Sequence, residues 1–223
     1  LALGLPPEIV WRQPFPGPGL AVRVICQKRE ERVGKSLQRV VEKFCKESVG
    51  ESKIIPIRSV GVQGDRRTYA FPLAVRAKKN WIFLESVSSA VTNHFREINR
   101  VILLVSPNKP LRKLVGAKKA FLVKKRLNLA READFLTARI LKERGLMEKL
   151  WQVPVVLVPV SFSGQGESIV LRPVWSENAM TAEFAKLPWP VVREIAGRLL
   201  KLEGIEAVFY DITNKPPGTI EWE

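Results

Sequence analysis

Histidine and cysteine are scarce in this chain of 223 residues, which contains one histidine and two cysteines. Any serine–histidine–aspartate triad would have to use His94, and a multi-histidine zinc site has too few ligands. His94 lies in a stretch with helical character, SSAVTNHFREI, and we expect it to be exposed on a helix. Cys26 and Cys45 cannot form a disulfide framework, so we expect free thiols in apolar surroundings and a reducing, cytoplasmic location.

Long apolar runs and catalytic signatures are missing as well. The longest apolar run covers residues 153–160, far fewer than the roughly 18–20 residues of a membrane-spanning helix, and prolines interrupt it. The first ten residues, LALGLPPEIV, do not predict a signal peptide and indicate a segment of a longer protein. The motifs GxxxxGK(S/T), GxGxxG, HExxH and GxSxG are absent, so we expect no catalytic residues, no metal site and no membrane association in this chain.

Positive charge is the abundant feature. Lysine and arginine total 37 against 22 aspartate and glutamate residues, a formal net charge of +15. This balance favours an anionic partner such as nucleic acid, a nucleotide phosphate or a membrane surface, although it also fits a merely well-solvated surface. Residues 112–126, RKLVGAKKAFLVKKR, hold seven basic residues and no acidic one, which leaves an RNA-binding module open as an alternative. The scattered aromatics and the lack of a GxxG clamp argue against it.

Hydrophobic periodicity predicts an α+β fold built from a repeated unit. We predict helices over residues 28–48, 81–98, 128–145 and 188–202, and strands over 20–26, 54–63, 68–77, 99–106, 153–162, 167–175 and 204–213. The order strand–turn–strand–helix–strand therefore occurs twice, which indicates two related subdomains, each a small mixed or antiparallel sheet packed under helices. We place them at residues 20–127 and 128–223, after a linker region over residues 1–19.

Three polar segments look too specific to be ordinary loops. PFPGPGL (14–20) combines rigid prolines with glycines that permit close backbone approach, although it also fits an interdomain linker. The hairpin GVQGDRRTY (61–69) offers guanidinium groups suited to phosphate, although such tips are more often solvated turns. The tail DITNKPPGTIEWE (211–223) ends in prolines and an aromatic residue, which predicts a terminus that is fixed in place and not frayed.

These segments also carry a resemblance to a known family. PFPGPGLAVRVI (14–25), VGVQGDRRTY (60–69), LRPV (171–174), MTAEFAKLPW (180–189) and YDITNKPPGTIEWE (210–223), in this order, resemble the C-terminal dimerisation domain of glutamine-hydrolysing GMP synthases. The resemblance runs from end to end and is to the long form with two subdomains. Residues 1–19 resemble the end of the preceding ATP-pyrophosphatase domain together with its PFPGPG linker.

The resemblance implies a function in guanine nucleotide synthesis. In this family a glutaminase domain supplies ammonia, the pyrophosphatase domain adenylates xanthosine monophosphate (XMP), and the C-terminal domain binds XMP and forms a homodimer. The positions that match nucleotide-contacting residues are Asp65, Arg67, Gln152, Lys215 and Glu221, with weaker matches at Pro16, Gly17, Gly19 and Ile220. ATP and Mg²⁺ are expected in the full enzyme, and no cofactor is expected on this chain alone.

Two further expectations complete the resemblance. The SGGVDS-type loop of the pyrophosphatase and the cysteine–histidine–glutamate triad of the glutaminase are absent, so this chain alone is expected to be inactive. The second turn, Gln165-Gly166-Glu167, lacks paired arginines, and we assign no nucleotide site to it. For the homodimer we expect an apolar strand such as AVFYDIT (207–213) to bury its surface against a twin across an isologous interface.

Overall fold

The computed structural model describes residues 4, 10, 13, 19–29, 31–64, 66–116 and 119–223. Asp65, Pro16 and Gly17, three of the predicted site residues, lie outside this described part. The α-helices of the described part are α1 (Lys35–Val49), α2 (Trp81–His94), α3 (Lys124–Glu143) and α4 (Trp189–Leu199). The strands are β1 (Glu51–Ile54), β2 (Ser59–Gln63), β3 (Arg66–Arg76), β4 (Ile98–Ser106), β5 (Val115–Gly116), β6 (Val155–Val158), β7 (Val160–Ser161), β8 (Glu167–Leu171), β9 (Val174–Trp175), β10 (Glu183–Phe184) and β11 (Ile205–Asp211).

Seven strands form one mixed sheet in the order β1-β3-β4-β11-β8-β6, with β2 also paired to β3. The pairs β3–β4 and β8–β11 are parallel, each joined through a helix, whereas the central pair β4–β11 is antiparallel. Two short pairs, β5–β7 and β9–β10, lie outside this sheet. The α+β class is confirmed, and the two repeats contribute to a shared sheet.

The repeat is longer than the sequence pattern indicates. Its first copy is α1-β1-β2-β3-α2-β4, and its second is α3-β6-β7-β8-α4-β11. Helix α3 is therefore the first element of the second copy and occupies the place that α1 has in the first. The predicted division between residues 127 and 128 falls inside the first turn of α3, and the division into two domains stays a prediction.

Several predicted element bounds were wrong, mostly at prolines and glycines. Residues 20–26 were expected to be a strand, but Gly19–Arg23 form a 3₁₀ helix and Val24 makes a single bridge to Leu157. Prolines 56, 159 and 173 divide the strands predicted over 54–63, 153–162 and 167–175, because proline has no N–H to donate to a ladder. Helix α3 starts at Lys124, four residues before the predicted start at residue 128.

The sheet is buried on both faces. One face packs under the four helices, which contribute Val41, Leu84, Ile140 and Ile195 among others. The other face carries a smaller apolar cluster that includes Ile102, Phe209 and Trp222. Trp222 belongs to the C-terminal segment, residues 212–223. This segment therefore covers the face of the sheet that the helices leave open.

Strand β11 lies between β4 and β8, with every residue but Glu206 buried. The apolar surface of AVFYDIT is therefore buried within the chain and not against a second copy, while the homodimer itself stays a prediction. The antiparallel partner of β11 is β4, the corresponding strand of the first repeat. The two repeats of one chain therefore supply the contact that we expected between two chains. Cys26 is exposed, contrary to expectation, whereas Cys45 is buried and His94 is exposed at the end of α2, as expected.

Candidate functional site

The C-terminal segment, residues 212–223, is fixed in place as the sequence predicts. Trp222 is fully buried, and its indole N–H donates to Asp211 Oδ2 over 3.0 Å. The segment also pairs with β2, since Val60 N donates to the Trp222 carbonyl at 2.9 Å and Val62 N to the Pro217 carbonyl at 2.7 Å. The terminal segment of the second repeat therefore lies against the hairpin of the first.

Gln152 and Glu221, two of the predicted site residues, contact each other. Gln152 Nε2 donates to Glu221 Oε1 over 2.8 Å, and Arg23 donates to the same carboxylate from Nη2 at 2.9 Å and from Nε at 3.1 Å. A carboxylate that accepts three charge-assisted or amide hydrogen bonds is held in one orientation. Arg23 was not among the predicted site residues.

A small cavity is lined by Arg23 and Gln152, the two partners of this carboxylate. Its volume is about 90 Å³, and Gln13, Arg23, Asp134, Thr137 and Gln152 contribute to its lining. Arg23 Nη1 reaches Asp134 Oδ1 at 3.3 Å, so one guanidinium group joins two carboxylates. Burial raises the pKa of Asp134, the Arg23 charge opposes this, and the Glu221 charge adds to it. The cavity thus combines hydrogen-bond donors and acceptors with apolar side chains such as Met147 and Val155.

Lys215 lies on another side of the C-terminal segment. Its Nζ donates to the Ala179 carbonyl at 2.5 Å, and its backbone pairs with Ala182 over 2.7 and 3.1 Å. Lys215 lines a cleft of about 440 Å³ together with Asn214 and part of the loop over residues 175–183. The structure therefore places Lys215 at a different cleft from the Gln152–Glu221 pair.

The remaining described site residues are separate from that pair. Arg67 is exposed on β3 opposite Val62, and none of the ion pairs of the described residues includes it. Gly19 begins the 3₁₀ helix with φ of +74°, a conformation that favours glycine. The Ile220 carbonyl accepts from Arg172 Nε at 3.2 Å. Of the predicted residues, the structure thus brings together Gln152 and Glu221.

The missed residues share a sequence signal. Arg23, Arg100, Arg172 and Asp211 stand singly in the apolar runs LAVRVI, INRVILLV, SIVLRPV and AVFYDIT, and all four are buried. A charged side chain inside a run that is predicted to be buried needs a partner of opposite charge or several hydrogen bonds. From that requirement the sequence could have predicted that these four residues are buried and paired, but it does not identify their partners.

Comparison with known proteins agrees with the resemblance. Residues 139–222 match the family model of the GMP synthase C terminal domain. Residues 139–222 therefore belong to the GMP synthase C-terminal domain family. The matched residues include Gln152, Lys215 and Glu221, and they cover α3 from Arg139 onward and the remainder of the second repeat up to Trp222.

Curated GMP synthases resemble the chain over its whole length. A probable glutamine-hydrolyzing GMP synthase of Leptospira interrogans is 42% identical over 223 residues, which are 99% of this chain and 37% of that protein. The GMP synthase of Dictyostelium discoideum is 29% identical over 274 residues, covering 99% of this chain and 38% of that protein. The chain therefore spans less than two fifths of the length of these relatives.

Other GMP synthases match only part of the chain. That of Leifsonia xyli is 44% identical over 109 residues, which are 45% of this chain and 22% of that protein. Some GMP synthases thus match the whole chain and others match less than half of it. This agrees with a long form that carries the duplicated unit and a shorter form.

In the second hairpin, several backbone donors of the turn bind a carboxylate of the same chain. The Glu206 carboxylate accepts hydrogen bonds from Phe162 N at 2.9 Å, Ser163 N at 2.8 Å and Gly166 N at 3.1 Å. Burial raises the pKa of Glu206, but the bonds from Ser163, Phe162 and Gly166 outweigh it and the net shift is downward. An ionised carboxylate thus occupies the turn, and the expectation that this turn binds no nucleotide stays a prediction.

The basic segment, residues 112–126, contributes in part to the packing of the fold. Arg126, its last residue, is buried, and it donates to Glu167 at 2.7 Å and to the Ile25 carbonyl at 2.9 Å. Nothing in the comparisons supports the RNA-binding alternative. Within the part of the chain that the structure describes, no helix is long and apolar enough to cross a membrane.

Proposed function

We propose that this chain is the XMP-binding part of a glutamine-hydrolysing GMP synthase. In the proposed reaction, ATP activates the purine C2 oxygen of XMP as an adenylate, and ammonia from glutamine then displaces AMP to form GMP. The observation that supports this best is the Glu221 carboxylate, which lies in a fixed terminal segment and is oriented by Arg23 and Gln152, two residues that line a small cavity. A carboxylate held in this way can accept hydrogen bonds from ribose hydroxyl groups.

The phosphate of XMP calls for cations, and two predicted residues can supply them. Arg67 is exposed and unpaired in the described part, so its guanidinium group is available to phosphate oxygens. Lys215 bonds a neutral carbonyl, that of Ala179, and a phosphate would compete well for its ammonium group. In this proposal Asp65 also accepts a ribose hydroxyl, Ile220 adds a contact, and Pro16, Gly17 and Gly19 line the approach to the base.

ATP and Mg²⁺ belong, in this proposal, to the rest of the enzyme. The described residues contain no group of three or more histidine, cysteine, aspartate or glutamate side chains that could hold a metal ion. We assign the glutaminase and pyrophosphatase steps to the part of the protein that its relatives carry and this chain does not span.

Homodimer formation and a cytoplasmic location are parts of the same proposal. Since β11 pairs internally with β4, the dimer would have to use a surface other than AVFYDIT. Sedimentation equilibrium of the complete enzyme tests this, because a monomer at high micromolar concentration would contradict the dimer. The two thiols are free, Cys26 exposed and Cys45 buried, which suits a reducing compartment.

The proposal is tested by titrating XMP into the complete enzyme at one fixed salt concentration. Lys215→Ala should weaken XMP binding by roughly ten- to a hundredfold, the equivalent of about 1.5–3 kcal/mol for a charge-assisted contact, and should leave ATP binding nearly unchanged. Lys201→Ala, at an exposed lysine after α4, is the matched control and should bind XMP like the wild type. A wild-type enzyme that does not bind XMP would refute the proposal, and unchanged binding by Lys215→Ala would refute the role of Lys215.

A further inference from the structure

The two repeats are related by a local two-fold axis at the centre of the sheet. Aligning β4 (INRVILLVS) with residues 205–213 of the second repeat (IEAVFYDIT) makes Leu103 the counterpart of Tyr210, and these two residues pair with each other. The same alignment exchanges the pair Ile102–Asp211 with the pair Leu104–Phe209. The axis therefore passes between Leu103 and Tyr210.

Charge breaks this symmetry. Arg100 of the first repeat and Asp211 of the second form a fully buried ion pair, with 2.9 Å between Nη1 and Oδ2. Their counterparts under the alignment are Ala207 and Leu104, which are buried in the apolar cluster of the same face. One side of the axis is thus charged and the other is apolar.

The charged side is the one that holds the C-terminal segment. Arg100 Nη2 donates to the Glu221 carbonyl at 2.9 Å, to Thr219 Oγ1 at 2.7 Å and to the Val60 carbonyl at 3.0 Å. Arg172, also fully buried, donates from Nε to the carbonyls of Thr219 at 2.9 Å and Ile220 at 3.2 Å. Two guanidinium groups therefore fix the backbone on both sides of Ile220 and up to Glu221.

The stability of the sheet at the two-fold axis does not require the charges of Arg100 and Asp211. Burial lowers the pKa of Arg100 to about 9, an effect that the Asp211 charge opposes, so the environment penalises the cation. A buried ion pair is often no more stabilising than a well-packed apolar pair, and the other side of the axis holds an apolar one. The charges occur where a backbone segment that carries Glu221 must be held, and positioning is what multiple hydrogen bonds from a planar group achieve.

We propose that Arg100, which the first repeat supplies, is a positioning residue for the nucleotide-binding segment of the second repeat, so that the two repeats together form one XMP site. This inference rests on the proposed function. It implies that the first repeat serves as a built-in partner for the second, and that the complete enzyme binds one XMP per chain. The Arg100 guanidinium group acts through the backbone of Glu221 and does not itself contact the ligand.

The test uses the complete enzyme with Arg100→Met and Arg100→Lys. Arg76, the last residue of β3, has a side chain that is 41% exposed and forms a 3.2 Å ion pair with Glu51, and it provides the matched controls Arg76→Met and Arg76→Lys. For each variant we would measure the KM for XMP and for ATP, kcat, the XMP stoichiometry by calorimetry, and hydrogen exchange of residues 219–223.

The expected result is a KM for XMP at least tenfold higher in Arg100→Met, with the KM for ATP and kcat changed less than threefold. The hydrogen-exchange rate of the amides of residues 219–223 should rise in Arg100→Met. The KM for XMP and the exchange rate of Arg100→Lys should lie between those of Arg100→Met and the wild type, and both Arg76 variants should match the wild type. Wild-type XMP affinity in a folded Arg100 variant, or two XMP molecules per chain, would overturn the inference.

Two further outcomes remain decisive. If Arg100→Met does not fold, Arg100→Lys keeps the charge and decides the question on the same measurements. If the wild type binds no XMP, the proposed function fails, and terminal exchange in Arg100→Lys still shows whether Arg100 positions the segment. Unchanged exchange would reject the positioning role.

Discussion

Arg23 and Glu221 form a two-point contact between a segment near the start of the chain and one near its end, with Nη2–Oε1 at 2.9 Å and Nε–Oε2 at 3.1 Å. The planar fork of a guanidinium group matches the two oxygens of a carboxylate, which makes this geometry stronger and more specific than a single bond. The Arg23 side chain is 3% exposed, so solvent screens the contact little. This pair fixes the carboxylate that we place in the nucleotide site.

A double-mutant cycle on this pair should give a large coupling energy. We expect Arg23→Met and Glu221→Gln to be coupled by about 1.5–3 kcal/mol in the free energy of unfolding, because both partners are largely shielded from water. The exposed pair Arg144–Glu194, at 2.8 Å with side chains 54% and 29% exposed, is the control and should give less than about 1 kcal/mol. Urea unfolding measures both cycles, and equal coupling in the two would contradict the expectation.

Gly61 should be intolerant of a side chain because the C-terminal segment crosses it closely. A Cβ at this position would lie 2.7 Å from the Pro217 carbonyl oxygen and 2.8 Å from Asn99 Nδ2. We expect Gly61→Ala to lower the free energy of unfolding by about 1–3 kcal/mol, the usual cost of overpacking, and to speed hydrogen exchange in the terminal segment.

Gly197 is the matched control for that substitution. It lies within α4, and an added Cβ meets no atom within 4 Å. Gly197→Ala should raise the free energy of unfolding by about 0.5–1 kcal/mol, since alanine loses less backbone entropy in a helix. Similar destabilisation by both substitutions would show that the contact with the terminal segment is not the cause.

Asp134 should make stability fall with rising pH. Its folded-state pKa is raised, chiefly by burial, so the folded protein binds this proton more tightly than the unfolded chain does. The resulting stabilisation is present below the unfolded-state pKa of about 3.9 and is lost as the pH rises through the folded-state value. Urea unfolding from pH 4 to 7 should show this loss in the wild type and a smaller one in Asp134→Asn.

Glu85 should show the opposite sign in the same experiment. A hydrogen bond from Lys186 lowers its pKa, so its contribution is present above the unfolded-state pKa and is lost as the pH falls. In a titration extended to more acidic pH, Glu85→Gln should therefore differ from the wild type at pH 7 and approach it only as the pH falls below the unfolded-state value of about 4.3. A wild-type profile that neither substitution alters would contradict both assignments.

Local patterns were enough for much of the architecture. Apolar periodicity indicated all four helices of the described part, and prolines explain where the predicted strands were too long. The α+β class and the repeated unit followed from the order of these elements. The predicted bounds failed at Gly19–Arg23 and at the start of α3, where the chain context outweighs local propensity.

The sequence by itself determined the repeat, the fixed C-terminal segment and the choice of Gln152 and Glu221, because these depend on local residue order and on motifs. Only the tertiary structure decided that Arg23 binds Glu221, that Arg100 pairs with Asp211 across the two repeats, and that Glu206 fills the second hairpin. These contacts join residues distant in sequence. Which residues meet depends on the strand register and on the need of each buried charge for a partner of opposite charge. Both of these are set only when the sheet forms.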